Sequence, residues 1–260
     1  MRSLSMTLMY LALRTRRDVL FLSSFFASIP CPEEQDIVAV KRAIVYTYNT
    51  INKKQHFYRE GEINIKLMGD SSHNLFITAK GQGCTLVYAD EWSAAVDITC
   101  NVHKFIAESV YEAELVVQKA LAEKGKIYWS RLQELGIITN KPMKMLSDNE
   151  AAVLAANRDH ITAAARTKFF NTKMFKLYED VQAGWIKPEW ISTNEMDADI
   201  GTKPLTGAQY HYLSERQFSR KPGFTHEVTN LSSIIIYDDA DEPYFNFVMD
   251  SDEGGAEMSE

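Results

Sequence analysis

The stretch DADIGTKPL, residues 197–205, sets two acids among small residues, just before a Thr-Lys-Pro run that ends the preceding element. Ala198 and Gly201 leave room for a backbone or a bound molecule to approach closely. On a helix, the side chains of Asp197 and Asp199 point about 200° apart. The two acids therefore cannot share one site, and the rest of the chain must show which of them is functional.

The composition describes a folded, near-neutral body with an acidic end. The chain has 260 residues, 45% of them hydrophobic and 24% charged, enough for one large domain or a domain with a second partial one. Its formal net charge is −7, but nine of the 35 acids lie from Asp238 onward, where no Lys or Arg occurs. The body is thus compatible with binding phosphate backbones without predicting it, and the last ten residues are typical of a disordered end.

Cysteine usage and the N-terminal runs bear on the compartment. Cys31, Cys84 and Cys100 form no paired framework and no Cys-x-x-Cys motif, which favours a reducing environment. The apolar runs MRSLSMTLMYLAL and VLFLSSFFASI are separated by RTRRD, and neither reaches the about 18 apolar residues of a membrane span. We therefore expect buried helices in an intracellular protein, neither secreted nor membrane-bound.

Hydrophobic periodicity predicts a mixed α/β chain. Helices are expected over residues 3–29, with a break near Thr15–Asp18, and over 34–51, from Ser109 to Lys124, and over 128–136, 149–157 and 169–184. Strands are expected in HFYRE (56–60), INIKLMGD (63–70), LFITAKGQ (75–82), CTLVYAD (84–90), SAAVDIT (93–99), KMLSD (144–148) and WIKPEWIS (185–192). Pro188 places the last of these at an edge or a bulge.

Single acids stand at the ends of four of these elements. Asp70 and Asp148 each follow a strand, Glu114 lies in the first turns of a helix, and Asp199 follows the last strand. If the strands lie side by side, the four carboxylates can converge, and carboxylate oxygens are the ligands that hard divalent ions prefer. Two such ions about 3.5–4 Å apart can activate a water and stabilise the leaving oxygen of a phosphodiester.

Each acid also has an ordinary structural interpretation. SDNE reads as a capping box with Ser147 as N-cap and Glu150 three residues on, Asp70 as a turn residue, and Asp199 as a cap. Glu114 can be a solvated helix acid, but a helical projection sets it beside Val117 and Leu121 at the edge of the apolar face. It is therefore expected to point toward the body of the domain.

At these residues the sequence resembles the ribonuclease H domain of copia-type long-terminal-repeat retrotransposon Pol polyproteins. The matching segments are MGDSSHN (68–74), SVYEAEL (109–115), LSDNEAAV (146–153), ARTKFFNTKMFKLYEDVQAG (165–184) and ADIGTKPL (198–205), the last being the most specific. Upstream, residues 8–28 and 39–50 resemble the end of the reverse transcriptase. The resemblance covers roughly residues 5–215.

The resemblance implies three regions and a nuclease. They are a helical reverse-transcriptase thumb or connection remnant (1–55), a ribonuclease H-like domain with a mixed five-stranded sheet and flanking helices (56–215), and an acidic, partly disordered extension (216–260). Asp70, Glu114, Asp148 and Asp199 are the implied catalytic acids and ligands of two Mg²⁺ ions, with Mn²⁺ able to substitute. The implied reaction is hydrolysis of the RNA strand of an RNA/DNA hybrid, in the cytoplasm, a virus-like particle or the nucleus. Asp197 is left as a capping or solvated acid.

Further contacts and other functions stay open at this point. Arg166, Lys168 and Lys173 can meet substrate phosphates or form a solvated helix face, and Ser72 and Asn74 can touch ribose 2′-hydroxyls. The Tyr-x-Asp-Asp segment of a polymerase is absent, so the remainder of a reverse transcriptase is a possible partner. The alternatives are a catalytically inactive or domesticated retroelement-derived module that binds nucleic acid or a partner, and an integrase-like nuclease, whose triad ends with Glu.

Overall fold

The computed structural model describes residues 1–58, 63–75, 79–137, 141–157 and 168–224, with side chains omitted for 168–173. The helices are α1 (Arg2–Arg14), α2 (Leu20–Ser28), α3 (Glu34–Asn49), α4 (Val110–Glu134), α5 (Glu150–Ala156), α6 (Lys168–Gln182), α7 (Asp199–Thr202) and α8 (Gly207–Arg216), with short 3-10 turns at Arg17–Val19 and Thr193–Glu195. The strands are β1 (Lys66–Ser71), β2 (Gln82–Tyr88), β3 (Asp97–Val102), β4 (Met143–Ser147) and β5 (Ile186–Trp190).

The five strands form one mixed sheet in the order β3-β2-β1-β4-β5. β1, β2 and β3 pair antiparallel, whereas β4 runs parallel to β1 and β5 runs parallel to β4. This order and these directions confirm the predicted ribonuclease-H-like sheet with flanking helices, preceded by a small helical segment. Pro188 lies in β5, an edge strand as predicted, where a residue without an amide N–H is tolerated.

The core lies on both faces of this sheet, as the alternation of side chains along a strand requires. Met68 of β1 packs with Leu20 and Cys84 on the face covered by α1 and α2. Its neighbour Leu67 packs on the opposite face, beneath α4 and α6. A Cβ on Gly125 of α4 would lie 2.6 Å from Leu67 Cδ1, so glycine there lets α4 approach the sheet closely. β1 is consequently packed between two layers of helices.

A chain of side-chain hydrogen bonds ties the N-terminal helices to α7. Ser24 Oγ of α2 donates to Gln82 Oε1 at 2.5 Å, and Gln82 Nε2 donates to the carbonyl of Gly201. A Cβ on Gly201 would lie 2.7 Å from Cys84 Sγ, so α7 meets β2 through a glycine. The predicted break at Thr15–Asp18 is confirmed, and Arg16 forms an ion pair with Asp18 there at 2.7 Å.

Several predicted elements are wrong in detail. The two helices expected at 109–124 and 128–136 are one helix, α4, because Gly125 is covered by the sheet and does not interrupt it. Residues 56–58, 75 and 79–81 form no strand, and the remaining parts of HFYRE and LFITAKGQ lie outside the described residues. β3 begins at Asp97, four residues later than SAAVDIT predicts. Among the described residues, no helix combines the length and apolarity that a membrane crossing requires.

Candidate metal centre

The topology brings three of the predicted acids to one place. Asp70 lies near the end of the central strand β1, and Asp148 directly follows β4, its parallel neighbour, where Met68 pairs with Leu146. Because the carboxyl ends of neighbouring parallel strands meet at one edge of a sheet, the two acids are adjacent. Glu114 approaches from α4, whose start is fixed by Ser109 Oγ accepting from the amide of Glu112 at 3.1 Å. α5, the helix that follows Asp148, is capped by Asn149, so the predicted Ser147 N-cap is wrong.

The three carboxylates are closely packed. One oxygen from each of Asp70, Glu114 and Asp148 lies within 4.8 Å of the other two. Asp70 and Glu114 are only 2% and 3% exposed. Burying like charges this close costs free energy unless a cation or a proton compensates them. Such a set of oxygen ligands is suited to a hard divalent ion.

Neighbouring groups hold each of these carboxylates in place. Glu114 Oε1 accepts a hydrogen bond from the amide of Ser71 at 3.1 Å, and Ser71 Oγ lies 2.8 Å from His103 Nε2. Thr202 Oγ1 donates to Asp70 Oδ2. Thr193 Oγ1 donates to Asp148 Oδ2 at 3.0 Å. Glu114 Oε2, also buried, receives a hydrogen bond from no described residue, so it has a lone pair free for a cation.

Asp199 faces the same cluster from α7, through a lysine. Asp199 is 2% exposed, and its Oδ1 lies 2.7 Å from Lys203 Nζ, one helical turn on. The same ammonium lies 3.6 Å from Asp70 Oδ1 and 3.9 Å from Asp148 Oδ2. The described geometry therefore places Asp199 beside the other acids with Lys203 between them. Asp199 is not within the 4.8 Å set formed by the other three.

The electrostatics of the cluster show a deficit of positive charge. Burial, followed by the charges of Asp70 and Asp148, raises the pKa of Glu114 to about 9, although the Ser71 amide works in the other direction. Burial and the charge of Asp70 raise the pKa of Asp199 to about 7, against the opposing effect of Lys203. In both cases the ionised carboxylate is less favourable than it is in a solvated side chain. A divalent cation would reverse this, so the residues present fit a metal ion.

Asp197 has a different environment from the one predicted. It is fully buried, and its Oδ1 and Oδ2 form ion pairs with Arg216 Nε at 2.5 Å and Arg220 Nε at 3.0 Å. Tyr88 Oη donates to Oδ2 at 2.8 Å. The interpretation of Asp197 as a capping or solvated acid is therefore wrong. Its carboxylate binds Arg216, Arg220 and Tyr88 in a separate network, outside the candidate metal centre.

The predicted substrate contacts lie partly outside the described residues. Arg166 is not among them, and nothing is described of the Lys168 and Lys173 side chains. The Ser72 hydroxyl bridges the turn between β1 and β2, accepting from the Gln82 amide at 2.9 Å and donating to the Gln82 carbonyl at 3.3 Å. Asn74, in the same connection, is exposed and has a φ of 51°. Substrate contacts therefore stay predictions for all five residues, which are Ser72, Asn74, Arg166, Lys168 and Lys173.

Sequence reasoning assigned no role to three side chains that contact the acids. Thr202 and Lys203 both lie within ADIGTKPL, and Thr193 precedes it by five residues. The spacing of four between Asp199 and Lys203 is the signal of a helical ion pair and was available in the sequence. The Thr193 contact had no sequence signal, because it depends on how the connection after β5 folds back on Asp148.

No protein-family model matches this chain. Among solved structures, it is similar to the N-terminal RNase H domain of a Mycobacterium tuberculosis protein, with 12% identity and a TM-score of 0.40 over 54% of this chain and 91% of that one. It is also similar to LC11-RNase H1 from compost, solved in complex with an RNA/DNA hybrid, with 8% identity and a TM-score of 0.41 over 54% and 94%. RNase H1 from Halobacterium salinarum gives 9% identity and a TM-score of 0.37 over 53% and 91%. The assignment of the fold rests on the strand order and directions described above.

Proposed function

We propose that this chain is a metal-dependent nuclease that hydrolyses the RNA strand of an RNA/DNA hybrid. The observation that carries the proposal is the cluster of Asp70, Glu114 and Asp148, whose oxygens lie within 4.8 Å of one another at the carboxyl ends of β1 and β4. Such an arrangement of buried, undercompensated carboxylates has a structural cost that a purely structural role does not explain. The integrase-like alternative is less well supported, because the last matched acid is Asp199 and not a glutamate.

The residues that would hold metal are Asp70, Glu114, Asp148 and Asp199. We expect two Mg²⁺ ions, with Asp70 shared between them, Glu114 and Asp148 completing one site and Asp199 the other, and we expect Mn²⁺ to substitute. When bound, such ions activate a water at neutral pH and stabilise the charge on the leaving oxygen. Hydrolysis of a phosphodiester needs both effects. Because the activated water is the nucleophile, no nucleophilic side chain is required.

The chain's own groups position these acids. The Ser71 amide orients Glu114, while Thr202 and Thr193 donate to Asp70 and Asp148 and so fix which oxygen of each faces the cluster. Burial of Asp70 and Glu114 keeps bulk water away from them. Preorganised ligands of this kind lose little freedom when a charged substrate binds, which is what electrostatic catalysis requires.

The substrate assignment rests on the copia-type resemblance and on the fold. Contacts with the 2′-hydroxyls of the RNA strand are proposed for Ser72 and Asn74, since these groups distinguish RNA from DNA. Arg166, Lys168 and Lys173 are proposed to contact phosphates, a contact that weakens with salt and is independent of sequence. Residues 1–55 would then be the reverse-transcriptase remnant and residues 216–260 an appended acidic extension, with the remainder of a reverse transcriptase as a possible partner.

The direct test is cleavage of an end-labelled RNA/DNA hybrid in Mg²⁺ by the wild-type chain and by Asp70→Asn, Glu114→Gln and Asp148→Asn. We expect the wild type to cut only the RNA strand and each variant to lose at least about a hundredfold in rate, since each removes one carboxylate from the centre. Glu134→Gln, an exposed position on the same helix as Glu114, is the matched control and is expected to cut normally. Cleavage that persists in the three variants would contradict the proposal.

A second candidate is a module that binds nucleic acid or a partner without cleaving it. The observation that favours it is Lys203, whose ammonium already neutralises part of the acidic cluster. A site compensated by its own lysine can persist without metal. Binding of the hybrid with no cleavage, and no change in thermal stability on adding Mg²⁺ or Mn²⁺, would support this candidate over the nuclease.

A further inference from the structure

Lys203 is a partly exposed lysine whose ammonium lies among the acids of the candidate metal centre. Its ammonium lies 2.7 Å from Asp199, 3.6 Å from Asp70 and 3.9 Å from Asp148, so it pairs with three acids from three separate parts of the chain. Across the described part of the chain, no other lysine or arginine forms an ion pair with any of the four predicted ligands. The nuclease function alone does not account for a fixed cation at the point where divalent ions are expected.

We propose that Lys203 is a built-in counter-cation that holds the carboxylate cluster together in the metal-free protein and is displaced when a divalent metal ion binds. The inference rests on the proposed function, because it concerns the same carboxylates. It adds a regulatory property to them: the affinity of the centre for metal is set by competition with a side chain of the protein itself.

The backbone holds the root of Lys203 in place and leaves its end free to move. Lys203 ends α7, its amide donating to the Asp199 carbonyl at 3.0 Å, and Pro204 follows at once. The side chain is 35% exposed, whereas Asp70 and Asp199 are 2% exposed. A lysine has a four-carbon flexible stem and an ammonium that is strongly hydrated. The ammonium therefore has a route to solvent that the carboxylates lack, and it is the group that moves.

Charge determines the direction of the effect. The ammonium and a divalent ion both draw their stabilisation from Asp70, Asp148 and Asp199, and they repel each other across a poorly solvated space. Binding of one therefore weakens binding of the other by the same factor. Removing the charge of Lys203 is expected to tighten metal binding and, at the same time, to destabilise the metal-free protein, since the acids then repel one another uncompensated.

The experiment measures metal binding without substrate, so it is separate from the test of nuclease activity. Mg²⁺ and Mn²⁺ are titrated calorimetrically into the wild type, Lys203→Met and Lys203→Arg at one fixed, mildly alkaline pH. Lys119→Met is the matched control, because Lys119 pairs with Glu123 at the same spacing of four on an exposed helix face. We expect Lys203→Met to bind metal at least about fivefold more tightly than the wild type, the lower end of typical coupling between two sites. Lys203→Arg and Lys119→Met are expected to match the wild type.

A second measurement uses the unmodified protein and guards against a variant that fails to fold. Lysines are acetylated briefly with and without saturating Mg²⁺, and the modification is read by mass spectrometry. We expect Lys203 to become several-fold more reactive when metal is added and Lys119 to stay unchanged.

The outcomes separate the two proposals. Metal binding in the wild type with equal or weaker affinity in Lys203→Met, and no change in Lys203 acetylation, would overturn the displacement of Lys203 while leaving the metal centre intact. Metal binding in Lys203→Met alone would support the counter-cation and contradict a wild-type metal nuclease. If neither protein binds metal, both proposals are wrong.

Discussion

Asp197 and Asp199 are two residues apart and almost equally buried, yet their surroundings differ in the balance of charge. Asp197 meets two guanidinium groups and a tyrosine hydroxyl, so its carboxylate is fully compensated. Asp199 shares a single ammonium with Asp70 and Asp148, and Glu114 has no cation at all in the described structure. The comparison teaches that burial alone does not identify a functional acid. What distinguishes the candidate metal centre is buried negative charge that the protein compensates only in part.

The largest expected difference between the two regions is in stability. Asp197→Asn removes the fully buried counter-charge of Arg220 and leaves Arg216 paired with Glu195 alone, and it is expected to lower the free energy of unfolding by about 3–5 kcal/mol. Asp199→Asn removes one negative charge from a cluster in which carboxylates outnumber cations. It is expected to change the free energy of unfolding by less than about 1 kcal/mol in the absence of metal. Urea unfolding of both variants in chelator measures the contrast. Equal losses would mean that Asp199 is as structural as Asp197.

Metal should stabilise one region and leave the other unaffected. At about 100 times its dissociation constant, Mg²⁺ is expected to stabilise the wild type by about 2.7 kcal/mol, because it binds the folded state only. Asp70→Asn should lose this gain. A mild variant of the other network, Tyr88→Phe, should keep it, since Tyr88 contacts Asp197 and no predicted ligand. Thermal unfolding with and without Mg²⁺ distinguishes them, and a gain retained in Asp70→Asn would contradict the assignment.

The pH dependence of stability follows from Glu114. Its pKa is about 9 in the folded protein and near 4.5 in the unfolded chain, so between these values the folded state binds the extra proton. The stabilisation is therefore complete below about pH 4.5 and is lost as the pH rises toward 9. In metal-free protein, Glu114→Gln should lessen the fall in stability over this range, whereas Glu134→Gln should leave it unchanged. An identical pH profile for wild type and Glu114→Gln would show that folding does not raise the pKa of Glu114.

The smallest expected change in stability concerns a buried basic residue that forms no ion pair within the described structure, Arg17. Arg17 is 3% exposed, and its Nε and Nη1 have no hydrogen-bond partner among the described residues. Burial lowers its pKa, as expected for a charge without a partner. Arg17→Met is expected to raise the free energy of unfolding by about 1 kcal/mol, because replacing a poorly compensated buried charge with an apolar side chain is often stabilising. Arg216→Met, which breaks the Asp197 pair, should lower it in the same unfolding assay.

The sequence predicted the convergence of three acids better than it predicted the groups around them. Asp70, Asp148 and Glu114 were identified because each stands at the end of an element, and parallel strands bring such ends together. The apolar periodicity of α4 also placed Glu114 on the inner side correctly. The environment of Asp197 could not be predicted, since Tyr88 lies on β2 and Arg216 and Arg220 lie at and beyond the end of α8, a pairing that only the tertiary fold creates.

Local preference misled the prediction where tertiary packing overrides it. HFYRE and LFITAKGQ contain strand-forming residues, but the described parts form connections, with the His56 amide donating to the Phe218 carbonyl instead of a sheet neighbour. The interruption expected at KGKI is absent, because the sheet covers Gly125. In both cases the deciding contacts are distant in sequence, which is why patterns within a short window cannot reveal them.

The hydrogen bonds from Ser24 to Gln82 and from Gln82 to Gly201 have a consequence for dividing the chain. They join α2 to the short helix that carries Asp199 and Thr202 and is followed directly by Lys203. A fragment starting at residue 56 would retain all five strands but lose the helix against which α7 rests. We expect such a fragment to keep the Asp70, Glu114 and Asp148 side of the centre and to lose the alignment of its fourth corner. The N-terminal helices would then support the candidate metal centre from outside the sheet, whatever their evolutionary origin.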